Sequence, residues 1–180
     1  ARHTGAVGPL VALLLRSESA ASSQIENLTA SAQSVAIADI GEASGPNAKL
    51  IVSNARAMEA AIRLAEHLDE AAIIEIQAAL LSDSRPDAVG SWRQQAVWIG
   101  GSGLGPHRAA FVPPRHELVP SLMADLVQFM ARDDLPVLAH AALAHAQFET
   151  IHPFVDGNGR TGRALLHAML RSKGLLQNVT

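Results

Sequence analysis

Ile151 to Arg163 reads IHPFVDGNGRTGR, and the rest of the chain is best understood outward from this stretch. Gly157-Asn158-Gly159 tolerates positive φ, so successive backbone N–H groups can turn into one concavity. A helical pattern follows from Arg160 to about Lys173 and is closed by Gly174. The concavity therefore lies at a helix N-terminus, where free N–H groups and the macrodipole favour an anion. The same dipole disfavours cations, so Arg160 and Arg163, three residues apart in the first turn, imply an anionic partner such as a polyphosphate. Asp156 can hold a hard cation such as Mg²⁺ against phosphate oxygens. His152, at the other rim, has the side chain whose ordinary pKa suits a general base. Phe154 reads as the apolar anchor of the loop. Base, metal ligand, anion nest and two guanidinium groups together describe phosphate-ester chemistry, which depends on positioning and charge stabilisation.

Similar glycine patterns fit less well. GNGRTG matches G-x-G-x-x-G, but a helix rather than a strand precedes it. DGNG lacks the alternating acidic ligands and closing Glu of a calcium loop. No G-K-[ST] follows a glycine run.

Working backward, Leu135 or Pro136 opens a helix to Ile151, and another spans about His116 to Ala131. Ala48 to His67 carries apolar residues at a period near 3.6, and Asp69 is placed to cap a helix running to about Leu81. Gly41 to Asn47 is a turn-rich break, and Ser17 to about Ile40 predicts one or two short helices. Arg93 to Val112 differs: QAVWI and HRAAFV flank GGSGLG, which predicts a β-hairpin with a mobile Gly100–Gly105 tip, ended by Pro113-Pro114. Trp92 and Trp98 read as packing residues at its start. His140, His145 and His152 are not spaced as a zinc pair, and His145 reads as a packing residue. The expected fold is all-α with one protruding β-hairpin.

Composition agrees. The 180 residues are rich in alanine and poor in aromatics, with four Phe, two Trp and no Tyr, which suits close-packed helices. Apolar content of 48% with a net charge of −3 excludes a disordered chain, and the near balance of 14 basic and 17 acidic residues argues against nucleic-acid coating. No cysteine is present, which excludes disulfide frameworks, thiolate zinc sites and cysteine nucleophiles and fits a reducing, cytoplasmic setting. Val11 to Leu15 is far short of the roughly 20 apolar residues of a membrane span. A start at Ala1 and an end at Thr180 suggest a piece of a longer protein, truncated at the C-terminus.

His152 to Arg163 resembles the signature of the Fic family, H-x-F-x-[DE]-G-N-G-R-x-x-R, at every defined position. The resemblance extends over roughly residues 20 to 180. It implies a Fic-type helical core over 41–180, with an active loop at 152–163 and a flap at about 96–112. It also implies transfer of AMP from ATP to a Ser, Thr or Tyr hydroxyl of a target protein, with release of pyrophosphate. By the same resemblance His152 is the base and Asp156 the Mg²⁺ ligand. Gly157, Asn158 and Gly159 hold phosphates, Arg160 contacts the β-phosphate and Arg163 the γ-phosphate. Val97, Trp98, Ile99 and Gly100 of the flap would dock the target backbone as an added strand.

Ser22-Ser23-Gln24-Ile25-Glu26-Asn27 resembles the family's inhibitory motif, [ST]-x-x-x-E-[GN], and places an inhibitory helix within an N-terminal segment, 1–40. Glu26 would pair with Arg163 and take the place of the γ-phosphate, with Ser22 on the same helix face. Three alternatives stay open: a hydrolase that removes AMP, transfer of another group, and a regulatory nucleotide-binding module of toxin–antitoxin type. A homodimer burying the inhibitory segment is also compatible.

Overall fold

The computed structural model describes residues 9–101 and 105–175, with side chains from residue 17 onward. Among these residues there are seven α-helices: α1 Pro9–Ile25, α2 Ala32–Asp39, α3 Pro46–Leu64, α4 Glu70–Leu81, α5 Val119–Met130, α6 Val137–Ile151 and α7 Asn158–Ser172. Their ends follow local chemistry. Pro46 sits in the first turn of α3. Asp69 caps α4, its Oδ1 accepting the Ala72 N–H at 2.8 Å. Gly174 leaves α7 with φ +74°.

The helix carrying the last part of the signature sits at the centre: α7 packs against α1, α3, α4 and α6. Small residues make this possible. Ala164 and Ala168 are fully buried against Ala57, Ala60 and Ala61 of α3 and Leu80 and Leu81 of α4. A second cluster joins Met123 and Leu126 of α5, Phe148 and Ile151 of α6, and Leu165 and Met169 of α7 around Phe154. At Gly162 a Cβ would lie 2.9 Å from the Phe148 ring and closer still to the Glu149 carboxylate, so α6 and α7 approach only because that position is glycine. Few aromatics and abundant alanine thus go with helices packed on one another through small side chains.

Phe154 fulfils its anchoring role. It is fully buried, with its ring 5.1 Å from Trp92 and 6.4 Å from Phe148 between centroids. Phe154→Ala is expected to cost about 3–5 kcal/mol of stability, the range for truncating a buried aromatic. In a chain of this size that lowers the melting temperature by about 6–20 °C, measured by calorimetry. His140 is also structural: it is buried, bonds the Phe129 carbonyl through Nε2 at 2.7 Å and meets that ring edge-on.

The expected β-hairpin over 96–112 is corrected by the structure. No strand forms among the described residues; a single antiparallel bridge joins Ile99 and Phe111. The Ile99 N–H donates to Phe111 O at 2.9 Å, and Ala110 and Phe111 donate back to Ile99 O. The ladder stops there for steric reasons. Gly100 and Gly101 take φ of +75° and +76°, and a Cβ at Gly101 would lie 2.6 Å from Arg108 O, so the chain turns away directly after the bridge. A 3₁₀ turn, Pro106–Arg108, replaces the returning strand, and Pro113 and Pro114 have no N–H for a further rung. Residues 102–104 of the expected mobile tip lie outside the described residues, as do 1–8 and 176–180 at the two ends.

Candidate active site

The site is built where α6 ends and α7 begins. His152 terminates α6 in a left-handed conformation, φ 50° and ψ 61°, with its N–H on Phe148 O at 2.9 Å. Histidine tolerates this region better than most residues, and such backbone strain concentrates at working sites. Gly157 is left-handed as well, φ +82°, where a Cβ would press on Leu80 at 3.0 Å. Between these two turns the loop closes on itself through Asn158. Its Oδ1 accepts the Phe154 N–H and its Nδ2 donates to Phe154 O, both at 2.9 Å. The Asn158 side chain thus braces the loop, and the contribution of this residue to an anion cradle falls to its backbone N–H. The first N–H groups of α7 have no intrahelical acceptor and open toward the loop. The helix starts at Asn158, two residues before the sequence pattern suggests, because Gly157 and the Asn158 side chain supply the entry turn.

Glu26, His152, Val155, Asp156, Gly157, Asn158, Gly159 and Arg160 line one cavity of about 190 Å³. It is smaller than the roughly 300–1,000 Å³ typical of small-molecule sites, and the Glu26 carboxylate is one of its walls. Arg160 is buried, faces Asp156 at 3.9 Å, and has an Nη1 with no hydrogen-bond partner. Burial works against its charge, offset by Asp156 and Glu26 and aggravated by Arg163. A buried guanidinium with an orphaned donor beside free helix N–H groups is an arrangement that can hold an anion. Asp156, half-buried, meets Arg85 at 3.4 Å. Among the described residues no cluster of three or more metal-ligating side chains gathers anywhere. The single Asp156 carboxylate could serve only a cation, such as Mg²⁺, that fills the rest of its sphere with phosphate oxygens and water.

The His152 imidazole is half-buried and its Nδ1 has no hydrogen-bond partner. Burial pushes its pKa below the ordinary 6.5; the Glu149 backbone raises it in part and the Arg93 guanidinium lowers it further. Imidazole is then neutral, and able to accept a proton, throughout the physiological range. Activity that needs His152 as a base is expected to fall as pH drops, with the acid limb of kcat/KM against pH centred below 6.5. The same depressed pKa means that the unfolded chain binds the proton more readily. The stability this contributes is present above 6.5 and is lost as pH falls through the folded-state value.

Arg163 does not face the cavity freely. Its Nε donates to Ser22 Oγ at 2.7 Å, and its Nη2 donates to Ser22 O at 3.1 Å and to Glu26 Oε1 at 2.9 Å. The end of α1 explains this approach. Leu28 N–H bonds Ser23 O, Asn27 N–H bonds Gln24 O, and Asn27 is left-handed at φ 58°. That is a Schellman stop, with asparagine at the position that glycine usually takes. It leaves Glu26 as the last residue before the turn, aimed at α7. The Glu26 carboxylate enters because Gly159 has no side chain: a Cβ there would lie 2.6 Å from Glu26 Oε1. Buried contacts seat α1, as Ser19 Oγ donates to Ile51 O and Asn54 Nδ2 to Ser19 O and Ser23 Oγ.

Val97, Trp98, Ile99 and Gly100 do not line this cavity; Val97 and Trp98 are half-buried and Ile99 and Gly100 exposed. Three residues not singled out by the sequence reading do bear on the site. Arg85 holds Asp156. Glu149, one turn before His152, buries an Oε1 without a partner, and burial raises its pKa. Arg93 is buried and grips the carbonyl of His152. A lone Arg beside Trp92 and an apolar run was the one available signal for the last.

The model of the Fic/DOC family matches residues 67–170, more than half of the chain and all of the loop just described. The chain belongs to the Fic/DOC family. Among curated proteins it is 44% identical over 69 residues to a probable protein adenylyltransferase of Aquifex aeolicus, which covers 38% of this chain and 22% of that protein. It is 34% identical over 103 residues to the protein adenylyltransferase Fic of Drosophila willistoni, covering 57% of this chain and 19% of that one. The chain thus spans about a fifth of the length of these relatives. The crystal structure of a Fic family protein from Desulfovibrio desulfuricans G20 superposes with a TM-score of 0.72 at 27% identity, over 94% of this chain and 52% of that one. Fic-1 from C. elegans shares the fold, with a TM-score of 0.68 at 22% identity, over 97% of this chain and 53% of that one. No helix among the described residues is long and apolar enough to cross a membrane.

Proposed function

We propose that this Fic/DOC domain is a protein adenylyltransferase held in check by Glu26. The observation that carries the reading is the buried Arg160, with its unpartnered Nη1, at the N-terminus of α7 and in the same cavity as His152. A polyphosphate fits that cradle, and a neutral imidazole beside it fits the activation of a hydroxyl. In the proposed reaction the hydroxyl oxygen of a target Ser, Thr or Tyr bonds to the α-phosphorus of ATP. The bond from that phosphorus to the bridging oxygen breaks, pyrophosphate leaves, and the hydroxyl proton passes to His152. The N–H groups at 157–159 and Arg160 hold the phosphate chain, and Arg163 receives its γ-phosphate end once Glu26 withdraws. Mg²⁺, held through Asp156, would neutralise charge on the phosphates. The segment 97–100 would offer a target chain the backbone edge that faces away from the Ile99–Phe111 bridge. The names of the adenylyltransferase relatives support the same chemistry.

The test is incorporation of α-labelled ATP into protein in the presence of Mg²⁺, comparing the parent chain, Glu26→Gly and Glu26→Gly/His152→Ala. Labelling by Glu26→Gly well above that of the parent and of the double variant is the expected result. Absence of label in all three, with nucleotide bound, would turn the assignment to AMP removal, assayed as release of AMP from an adenylylated protein.

A further inference from the structure

We propose that Arg93 is a positioning residue that fixes the backbone of His152 and sets it against both ends of the segment carrying the Ile99–Phe111 bridge. The proposal rests on His152 acting as the base, as argued above. Arg93 is only 3% exposed, and no carboxylate pairs with it among the described residues. A buried cation without a counter-ion needs another source of stabilisation. Here the partners are all backbone carbonyls. Nε donates to His152 O at 2.8 Å, Nη2 to Ile151 O at 3.3 Å and to Pro114 O at 2.6 Å, and Nη1 to Gln95 O at 2.9 Å. The Arg93 N–H adds a bond to Pro153 O at 2.8 Å.

Two of those carbonyls, Ile151 and His152, lie at the end of α6, where the last C=O groups lack intrahelical donors and the dipole is negative. The guanidinium is the counter-charge for that helix end. It also grips the residue whose left-handed turn aims the imidazole. The other two, Gln95 and Pro114, bracket the bridged segment. One rigid fork therefore ties three stretches of chain together, and its shape matters as much as its charge. Lysine, with a single ammonium on a flexible stem, cannot reach four carbonyls on three stretches at once.

The test is Arg93→Lys in a Glu26→Gly parent, with kinetics, nucleotide binding and backbone hydrogen exchange read together. The expected kcat is lower by about a hundredfold, the scale of a small misplacement of a reacting group. Nucleotide affinity is expected to hold, because Arg93 touches none of the α7 cradle. Exchange should quicken by about tenfold or more at the amides of Arg93 and His152 and stay slow at Ile76 in the core. A lysine variant with the parent kcat overturns the proposal. So does a loss of kcat that is matched by lost nucleotide binding and by faster exchange throughout the core, the mark of general destabilisation. Should the Glu26→Gly parent transfer no AMP, the adenylylation reading fails by itself and exchange alone decides: unchanged protection at Arg93 and His152 overturns the role given to Arg93.

Discussion

With Glu26 changed to glycine, replacing His152 by alanine is expected to lower AMP incorporation by about 10²–10⁴, the usual contribution of a positioned general base. Nucleotide binding should persist, since the cradle belongs to Gly157–Arg160 on the other side of the loop. The imidazole makes no hydrogen bond through Nδ1 that its removal would orphan, and the backbone bonds of residue 152 to Phe148 and Arg93 do not need the side chain. One complication is conformational: alanine is poorer than histidine at φ 50°. His152→Asn answers it, because asparagine accepts the left-handed region and offers no base of suitable pKa. Equal losses in both variants assign the effect to proton transfer. Activity retained by the asparagine variant would mean that the loop conformation, and not the imidazole, is what residue 152 supplies.

How legible all this was depends on where the information sits. The geometry of the loop at 152–163 was readable because it is local: a left-handed glycine turn, a helix N-terminus and two arginines in its first turns are set by neighbours in sequence. The helices were readable for the same reason, down to the Asp69 cap. The hairpin was not, because the alternation of QAVWI is a weak signal and the two positive-φ glycines that end pairing after Ile99 look, in sequence, like a hairpin tip. Asn158 reads as a phosphate ligand, yet its amide folds back on Phe154, a contact four residues away that closes the loop. Arg93 was invisible as a positioning residue because its partners are carbonyls, which every residue has. No side-chain pattern encodes which of them converge. Asn27 illustrates the opposite case: the asparagine-or-glycine choice that closes the pattern at 22–27 matches the requirement of a left-handed helix stop, stated in sequence.

Glu26→Gly is expected to raise AMP incorporation by about tenfold or more. A hydrogen bond between charged groups contributes about 1.5–3 kcal/mol, or about ten- to a hundredfold in the balance between occupied and free Arg163. The lower end applies, because the side chains of Arg163 and Glu26 are 18% and 41% exposed and solvent screens them. Ser22 does not substitute for the carboxylate. It holds the guanidinium by Nε and Nη2 from the α1 side, and both contacts are to neutral oxygens. Removing the carboxylate also opens the wall of a cavity that now measures about 190 Å³, so the gain should come with tighter nucleotide binding. Glu26→Gln separates the two causes: it keeps the bulk in the cavity and loses the charge. If charge dominates, the glutamine variant approaches the glycine one, and added salt raises labelling by the parent chain more than by either variant. If bulk dominates, glutamine stays as low as the parent. Parent and Glu26→Gly labelling equally would refute the inhibitory role, since the 2.9 Å pairing would then compete with nothing that catalysis needs.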